Sequence, residues 1–282
     1  MSSVHSPYDR VSIIVGVILV GIVLLLVVDV PPRVFQFRPL GTPLTLNVTA
    51  VWAMSTLLVG LSCAGTEAVM RVHPAVRRGT IKRTFPNWIL PALATVALTI
   101  SLPRSPDLLS WLIGLAVGGG GLAWLMLMNY QVIAADRDDA SQRTAIAARL
   151  GLRLAAYLLA IILFTAIYRT RLRSLVTATA VSGVAALLAV SVLYHSEQAH
   201  RSLGRTLFYA GVIGLVLGET TWALNYWRTH ALTVGVLLMV LFYVLTGIVR
   251  EYARKGIRWP EIAEFLAIAA LGIWIVVRFG PG

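Results

Sequence analysis

A single carboxylate, Glu219, lies inside a long apolar segment, in the stretch GETTWALNYW. A charged carboxylate within a membrane-spanning helix costs at least about 2.5–3.5 kcal/mol, and such residues normally face the interior of a helix bundle. Trp222 and Tyr226 follow at steps of three and four residues, so the three side chains share one helix face. The pattern predicts a polar, aromatic patch that faces inward and binds a ligand.

Two further polar residues are candidates for the same ligand-binding site. Asn225 lies six residues after Glu219, which rotates it about 120° away around the helix, so it joins the site only where that helix is unwound or tightly surrounded. Asp29 ends the first apolar segment and is expected at the same side of the membrane. The predicted ligand-binding residues are therefore Glu219, Trp222, Tyr226, Asn225 and Asp29, with no cofactor indicated.

Two hypotheses explain the carboxylate of Glu219. In the functional hypothesis it lines a cavity through which a small or lipidic ligand binds or is transported. In the structural hypothesis it is protonated, or bonded to a serine, threonine or arginine of another helix, and fixes packing. Both hypotheses predict a hydrogen-bond partner from another helix, because an unpaired buried carboxylate has to stay neutral at a cost in free energy. A role as a non-catalytic subunit or scaffold of a membrane complex is a further alternative.

Acidic residues also support an alternative of a different class, a lipid- or lipid-phosphate-modifying enzyme. The most acidic stretch, AADRDDASQRTAIAARL, contains Asp136, Asp138 and Asp139. Carboxylates at a membrane face can hold Mg²⁺ for a diphosphate substrate, and Asp29 with Glu219 offers a second such pair. UbiA-type prenyltransferases are similar in helix number and orientation, but the loop RVHPAVRRGTIKRTF is basic where they carry an acidic motif. Asp139 with Gln142 instead forms a capping box, which favours a helix start.

The remaining charged and metal-ligating residues indicate no separate site. Glu67 precedes Arg71 by four residues, which is the favourable order for an ion pair on a helix. The E-x-x-x-R fragment is similar to one in CAAX-type proteases, but these need a second glutamate where this chain has Thr66. The histidines and glutamate of YHSEQAH, residues 194–200, do not share a helix face, so they predict interfacial residues and no metal. The single cysteine, Cys63, excludes an internal disulfide.

Apolar segments of about 20 residues position all of these groups. Hydrophobic residues make up 58% of the 282-residue chain and charged residues only 13%, against about 25% charged in soluble domains. Each segment is long enough to cross a bilayer as a helix. The sequence therefore predicts an all-α, polytopic integral membrane helix bundle that forms a single transmembrane domain over 1–282. The nine predicted spans are about 11–30, 46–68, 86–102, 108–134, 150–168, 174–194, 206–227, 230–249 and 261–278.

The basic residues between these spans predict the orientation and the partners. Of the 24 lysines and arginines, twice as many fall on the N-terminal side as on the other side. This asymmetry predicts a cytoplasmic N-terminus and an external C-terminus in a plasma (inner) membrane. The net charge of +12 is explained by topology, so no nucleic-acid partner is predicted. The expected partners are the lipid bilayer and a small-molecule or lipid ligand, and the oligomeric state is open.

One glycine tract bears on packing. The four glycines of VGGGG, Val117 to Gly121, are expected to interrupt the fourth span. Such a tract allows either very close helix packing or a kink that works as a gate. Close packing is the favoured interpretation.

Overall fold

The computed structural model describes two compact helical units, residues 1–137 and residues 138–282. The single transmembrane domain predicted from the sequence stays a prediction. The described residues are 7–27, 33–37, 44–48, 50–78, 84–102, 107–134, 139–170, 174–195, 203–226 and 230–255, with Ala267, Ala270 and Trp274.

Helices dominate the described residues of both units. Unit 1 contains α1 (Pro7–Val27), β1 (Arg33–Phe37), β2 (Leu44–Val48), α2 (Ala50–Arg71), the short α3 (Pro74–Arg77), α4 (Pro86–Ser101) and α5 (Leu108–Ala134). Unit 2 contains α6 (Asp139–Arg169), α7 (Ser174–Tyr194), α8 (Leu203–Leu224) and α9 (Ala231–Lys255).

Six of the described helices are long and apolar enough to cross a membrane, and α4 is a shorter apolar helix. The predicted helical fold is thereby confirmed, and eight of the predicted spans overlap a described helix. Helix α6 begins 11 residues before the predicted start at 150, α9 ends six residues after the predicted end at 249, and the other ends differ by at most four residues. The ninth span, 261–278, falls outside the described residues except for Ala267, Ala270 and Trp274, each of which is helical. The count of nine and the orientation stay predictions.

An antiparallel hairpin in unit 1 departs from the all-α prediction. Strand β1 pairs with β2 so that Arg33 lies opposite Val48 and Phe37 opposite Leu44. The second span was predicted to begin at about residue 46, but α2 begins at Ala50. The physical reason is the sequence LTLNV, which alternates apolar and polar residues with the period of a strand, following a proline- and glycine-containing connection.

The glycine tract lies within a continuous helix, so the predicted interruption of the fourth span is wrong. Helix α5 runs from Leu108 to Ala134 without a break. A Cβ atom added to Gly119 would lie 2.7 Å from a methyl group of Leu19 in α1, and one on Gly118 would overlap Leu98 in α4. Two of the glycines therefore allow neighbouring helices to approach closely, as the packing interpretation expected.

Glu67 joins α2 to the beginning of α4. Its carboxylate accepts hydrogen bonds from Nε of Arg71 at 2.9 Å, Oγ1 of Thr84 at 2.6 Å and Nε1 of Trp88 at 3.0 Å. The predicted ion pair with Arg71 is confirmed. The two further donors come from the chain around the start of α4, so the carboxylate fixes the position of one helix against the next.

We expect Glu67→Ala to destabilise unit 1 by about 1–3 kcal/mol, because it leaves Thr84 and Trp88 without their acceptor. Arg71→Ala is the matched control. The Arg71 side chain is 75% exposed, and ion pairs at such exposure contribute at most about 1 kcal/mol. Thermal unfolding midpoints of the purified variants in detergent measure both effects. Equal losses in the two variants would contradict this assignment.

Small residues bring the helices of unit 2 together. On α8, a Cβ atom added to Gly214 would lie 2.6 Å from the carbonyl oxygen of Ser182 in α7, and one on Gly218 would lie 3.0 Å from Cβ of Ser182. Helix α9 meets α6 where Gly235 faces Thr165. Two helices held this closely have one rotation that fits, so the glycines of α8 decide which of its residues face outward.

Candidate functional site

The buried face of α8 contains the two glycines that contact α7, Gly214 and Gly218. Six of the seven buried residues of the helix are small or aliphatic, and all repeat at steps of three and four residues: Ala210, Ile213, Gly214, Leu217, Gly218, Thr221 and Leu224. The hydroxyl of Thr221 donates a hydrogen bond to the carbonyl oxygen of Leu217 within the same helix, at 2.7 Å. The end of the helix is held by the Tyr168 hydroxyl, which donates to the carbonyl oxygen of Leu224 at 2.9 Å.

The opposite face of α8 is exposed and also regular. Its members lie at alternating steps of four and three residues: Phe208, Val212, Leu215, Glu219, Trp222 and Tyr226, with Tyr226 just beyond the last helical turn. We call these six residues the α8 stripe. Five of them are large and apolar or aromatic, and Glu219 is the charged member. An alternation of three and four residues is the spacing with which one helix contacts another along its length.

The expected inward direction of Glu219, Trp222 and Tyr226 is wrong. The three residues do share one face, and the rings of Trp222 and Tyr226 contact each other at a centroid distance of 6.2 Å. However, Glu219 is exposed, and Trp222 and Tyr226 are 54% and 75% exposed. The physical reason is steric: the contact of Gly218 with α7 fixes the helix rotation, and the next residue is turned by about 100° from that contact.

Within the described part of the chain, Glu219 forms no hydrogen bond and no ion pair. The predicted partner from another helix is therefore not found among these residues. Glu219 precedes the end of α8 at Leu224 by five residues, or about 8 Å. The Cα–Cβ bonds of a helix tilt toward its N-terminus, so that of Glu219 is directed toward the middle of α8 and away from its nearer end.

The other two predicted site residues are placed differently. Asn225 is partly buried in the turn after α8, and its Nδ2 atom has no hydrogen-bond partner among the described residues. Asp29 lies outside the described residues. The structure thus brings Glu219, Trp222 and Tyr226 onto one surface and leaves Asn225 off it. The ligand-binding role of all five residues stays a prediction.

A second group of polar residues gathers at the opposite end of unit 2. His195 follows the last turn of α7, is 8% exposed, and faces Arg149 and Arg153 of α6 across a small pocket that Ser191 also lines. Its Nδ1 atom donates a hydrogen bond to the carbonyl oxygen of Ser191 at 2.7 Å. Sequence reasoning assigned these residues to the interface and to topology. The signal that could have found them is the i, i+4 spacing of the arginines on one helix face.

Burial dominates the protonation of His195. The pKa of His195 is lowered from 6.5 to about 4. Burial has the largest effect and lowers the pKa, the hydrogen bond to the Ser191 carbonyl raises it, and the positive charge of Arg149 lowers it. The imidazole is therefore neutral at pH 7. Burial likewise lowers the pKa of His73 in unit 1.

The lowered pKa of His195 predicts a loss of stability in acid. The unfolded chain takes up a proton near pH 6.5 and the folded chain only near pH 4, so stability falls as the pH falls between these values. His195→Asn keeps a nitrogen donor for the Ser191 carbonyl. We expect this variant to lose less stability than the wild type on acidification from pH 7 to pH 4, by on the order of 2–3 kcal/mol.

Thermal midpoints across that pH range measure this difference. His230→Asn is the control, because His230 is exposed. Parallel pH curves for wild type and His195→Asn would show that burial of His195 does not govern acid stability.

The acidic and metal-binding alternatives gain no support from the described residues. Asp136 and Asp138 lie outside them, as does the side chain of Asp139. Helix α6 begins at Asp139, in agreement with the helix-start interpretation. Among the residues searched, which are the described ones, no group of three histidine, cysteine, aspartate or glutamate residues could hold a metal ion.

The match to a known protein family includes residues of both units. A family model described as "Protein of unknown function (DUF5656)" matches residues 30–279. No curated protein and no solved structure matches the chain. Because the matched segment covers most of the sequence, the chain belongs to the DUF5656 family of proteins of unknown function.

Proposed function

We propose that this protein is a non-catalytic, multi-pass protein of the plasma membrane that works as a subunit of a membrane assembly and associates through the α8 stripe. The observation that carries the proposal is the exposed carboxylate of Glu219 within an otherwise apolar and aromatic helix face. On a helix face that contacts only lipid chains, a carboxylate costs free energy and finds no hydrogen-bond partner. A face that meets another helix can give it a hydrogen-bond partner.

The regular spacing of the α8 stripe supports a helix as the partner. Residues that repeat at three and four positions form the seam along which two helices interlock. Glu219 lies between Leu215 and Trp222, so a helix that packs along this seam shields its carboxyl group from lipid. The association relieves part of the cost of about 2.5–3.5 kcal/mol that a carboxylate incurs within the membrane.

A second copy of the same chain is the partner that we propose. All copies insert with the same orientation, so two α8 helices related by a two-fold axis along the membrane normal are parallel. In a parallel pair, equivalent positions of the seam face each other. Glu219 then meets Glu219 of the second copy. Two adjacent carboxyl groups share one proton, so that the protonated group donates a hydrogen bond to the ionised group.

The other functional hypotheses receive less support. The cavity around Glu219 was expected inside the helix bundle, and the residue is exposed. The lipid-modifying enzyme depends on aspartates that lie outside the described residues. Both hypotheses stay predictions, whereas the exposed stripe is accounted for by subunit association.

The oligomeric state in a membrane tests this proposal. The full chain is purified in nanodiscs formed directly from the host membrane, without a detergent step, and its mass is measured by native mass spectrometry. We expect a dimer at twice the chain mass of 30.6 kDa. A uniform population of monomers would contradict the proposal. A stable complex with a different protein would contradict self-association and retain the role as a subunit.

A further inference from the structure

We infer that the β1–β2 hairpin of unit 1 is a lipid-binding element, which lies flat on the surface of the bilayer with its apolar face toward the acyl chains. The partner is the lipid surface of the membrane that α2 enters. The inference concerns unit 1 alone, so it does not depend on association through the α8 stripe.

The two faces of the hairpin differ in polarity. Successive residues of a strand alternate between the faces of a sheet, and residues directly opposite each other in an antiparallel pair share a face. The register pairs Phe35 with Leu46 and Gln36 with Thr45. One face, which we call the apolar hairpin face, consists of Arg33, Phe35, Phe37, Leu44, Leu46 and Val48. The other face consists of Val34, Gln36, Thr45 and Asn47.

The apolar hairpin face needs a cover. A hairpin of two strands is marginally stable at best in water, and it becomes stable when an apolar face packs against another surface. Among the described elements, β1 and β2 pack chiefly against each other. The helices of unit 1 that the structure describes therefore do not supply an extensive cover for this face.

The chain connections hold the hairpin close to the membrane. Val48 precedes Ala50, the first residue of α2, by two positions, which limits their separation to about 7 Å. The part of α2 that is long and apolar enough to cross a membrane begins at Ala53, about 5 Å further along the helix. At its other end, the hairpin follows α1, which packs against α2. The nearest large apolar surface is therefore the bilayer itself.

The edges of the hairpin determine how deeply it can enter the lipid. Each strand has one strand neighbour among the described residues, so one edge of each strand carries backbone N–H and C=O groups outside the pair. Open sheet edges of this kind are not tolerated in the hydrocarbon core. At the headgroup level these groups meet water, while the apolar hairpin face reaches the acyl chains. Amphipathic helices that lie in the membrane interface are placed in the same way.

The charge of the segment suits a lipid surface. Residues 33–48 contain two arginines, Arg33 and Arg38, and no acidic residue. A basic residue near an anionic membrane surface strengthens its attraction to the headgroups. The phosphates of lipid headgroups thus complement the charge of the hairpin, whereas the acyl chains complement its apolar face.

Fluorescence quenching tests the position of the hairpin in the full chain. Cys63 is first replaced by alanine, and a bimane fluorophore is then attached to one introduced cysteine at a time, at positions 34 to 37 and 44 to 47. The protein is placed in nanodiscs of phosphatidylcholine and phosphatidylglycerol. Spin-labelled lipids quench a fluorophore that contacts lipid, and iodide quenches one that contacts water.

We expect the two quenchers to alternate with a period of two residues. Spin-labelled lipids should quench positions 35, 37, 44 and 46 more strongly, and iodide should quench positions 34, 36, 45 and 47 more strongly. Protection of the first four positions from both quenchers would show that protein covers the apolar hairpin face, from this chain or from another, and would overturn the inference. Iodide quenching of equal strength at all eight positions would overturn it as well.

A matched pair of variants tests whether the apolar hairpin face holds the hairpin on the lipid. With the fluorophore at position 37, Phe35→Gln is expected to reduce quenching by spin-labelled lipids by about five- to tenfold, because it removes a large apolar residue from this face. Val34→Gln is the control, since it makes the same kind of change on the opposite face. Unchanged quenching in Phe35→Gln, or an equal loss in both variants, would overturn the inference.

Discussion

Replacement of Glu219 by leucine is expected to weaken the association of two copies by about 5- to 30-fold, since hydrogen bonds between membrane helices contribute about 1–2 kcal/mol in peptides. Leucine suits a lipid-facing surface, so the separated subunit is no longer destabilised by a carboxylate. It also removes the hydrogen bond across the pair. The dissociation constant measured in liposomes of decreasing protein density gives the size of the effect.

Two further variants serve as controls for the effect of Glu219→Leu. Glu219→Gln retains a side chain that donates and accepts hydrogen bonds across the helix pair, so it is expected to associate nearly as well as the wild type. Leu187→Ala changes an exposed residue of α7 away from the α8 stripe and is expected to have no effect. If Glu219→Leu associates as strongly as the wild type, the carboxylate does not hold the pair together.

Replacement of Gly214 by alanine is expected to have the largest effect on unit 2. The added Cβ atom would lie 2.6 Å from the carbonyl oxygen of Ser182 and 2.9 Å from Cβ of Ala186. The first of these is a backbone atom, so α7 and α8 have to move apart. Overpacking of this kind costs about 1–3 kcal/mol or more. The thermal midpoint of the purified variant should fall by several degrees, with larger losses for valine or leucine at the same position.

Gly183→Ala in α7 is the control for this prediction. A Cβ atom at Gly183 meets nothing within 4 Å, and alanine has a higher helix propensity than glycine. This variant should be as stable as the wild type or slightly more stable. If Gly214→Ala is also neutral, the close approach of α7 and α8 is not what fixes the rotation of α8.

The helices of the fold could be predicted from sequence because their signals are local. Apolar segments of about 20 residues gave α5 and α7 with their observed ends, and Asp139 marked the start of α6. The ion pair of Glu67 and Arg71 followed from their spacing alone. The contribution of Thr84 and Trp88 could not be predicted, because it depends on how two helices meet.

The outward direction of the Glu219 side chain could not be predicted from its polarity. That rule places polar residues of a membrane helix inside the bundle, and it selected the face of Glu219, Trp222 and Tyr226. The face of Gly214 and Gly218 competes with it, and a glycine pair four residues apart signals a close helix contact. Two faces of α8 were thus both candidates for the buried face. The close contact of Gly214 with the backbone of α7 decided between them, so the glycine face is buried and the face of Glu219 is exposed.

The pocket lined by Arg149, Arg153, Ser191 and His195 could not be predicted from the sequence, for a different reason. Arg149 and Arg153 also fit the charge asymmetry that orients a membrane protein, and this role accounts for them without a site. Ser191 and His195 come from another helix, so only the packing of α6 against α7 reveals that the four residues meet. The spacing of the arginines was visible in the sequence, but its meaning depends on their neighbours.

Cysteine cross-linking along α8 in native membranes tests association through the α8 stripe most directly. The single native cysteine, Cys63, is first replaced by alanine, and one cysteine at a time is then placed at positions 208 to 226. We predict disulfide-linked dimers at positions 212, 215, 219 and 222, with little product at 213, 217 and 221, because only the stripe faces the second copy. Cross-links that do not follow this spacing, or none at any stripe position, would contradict the account.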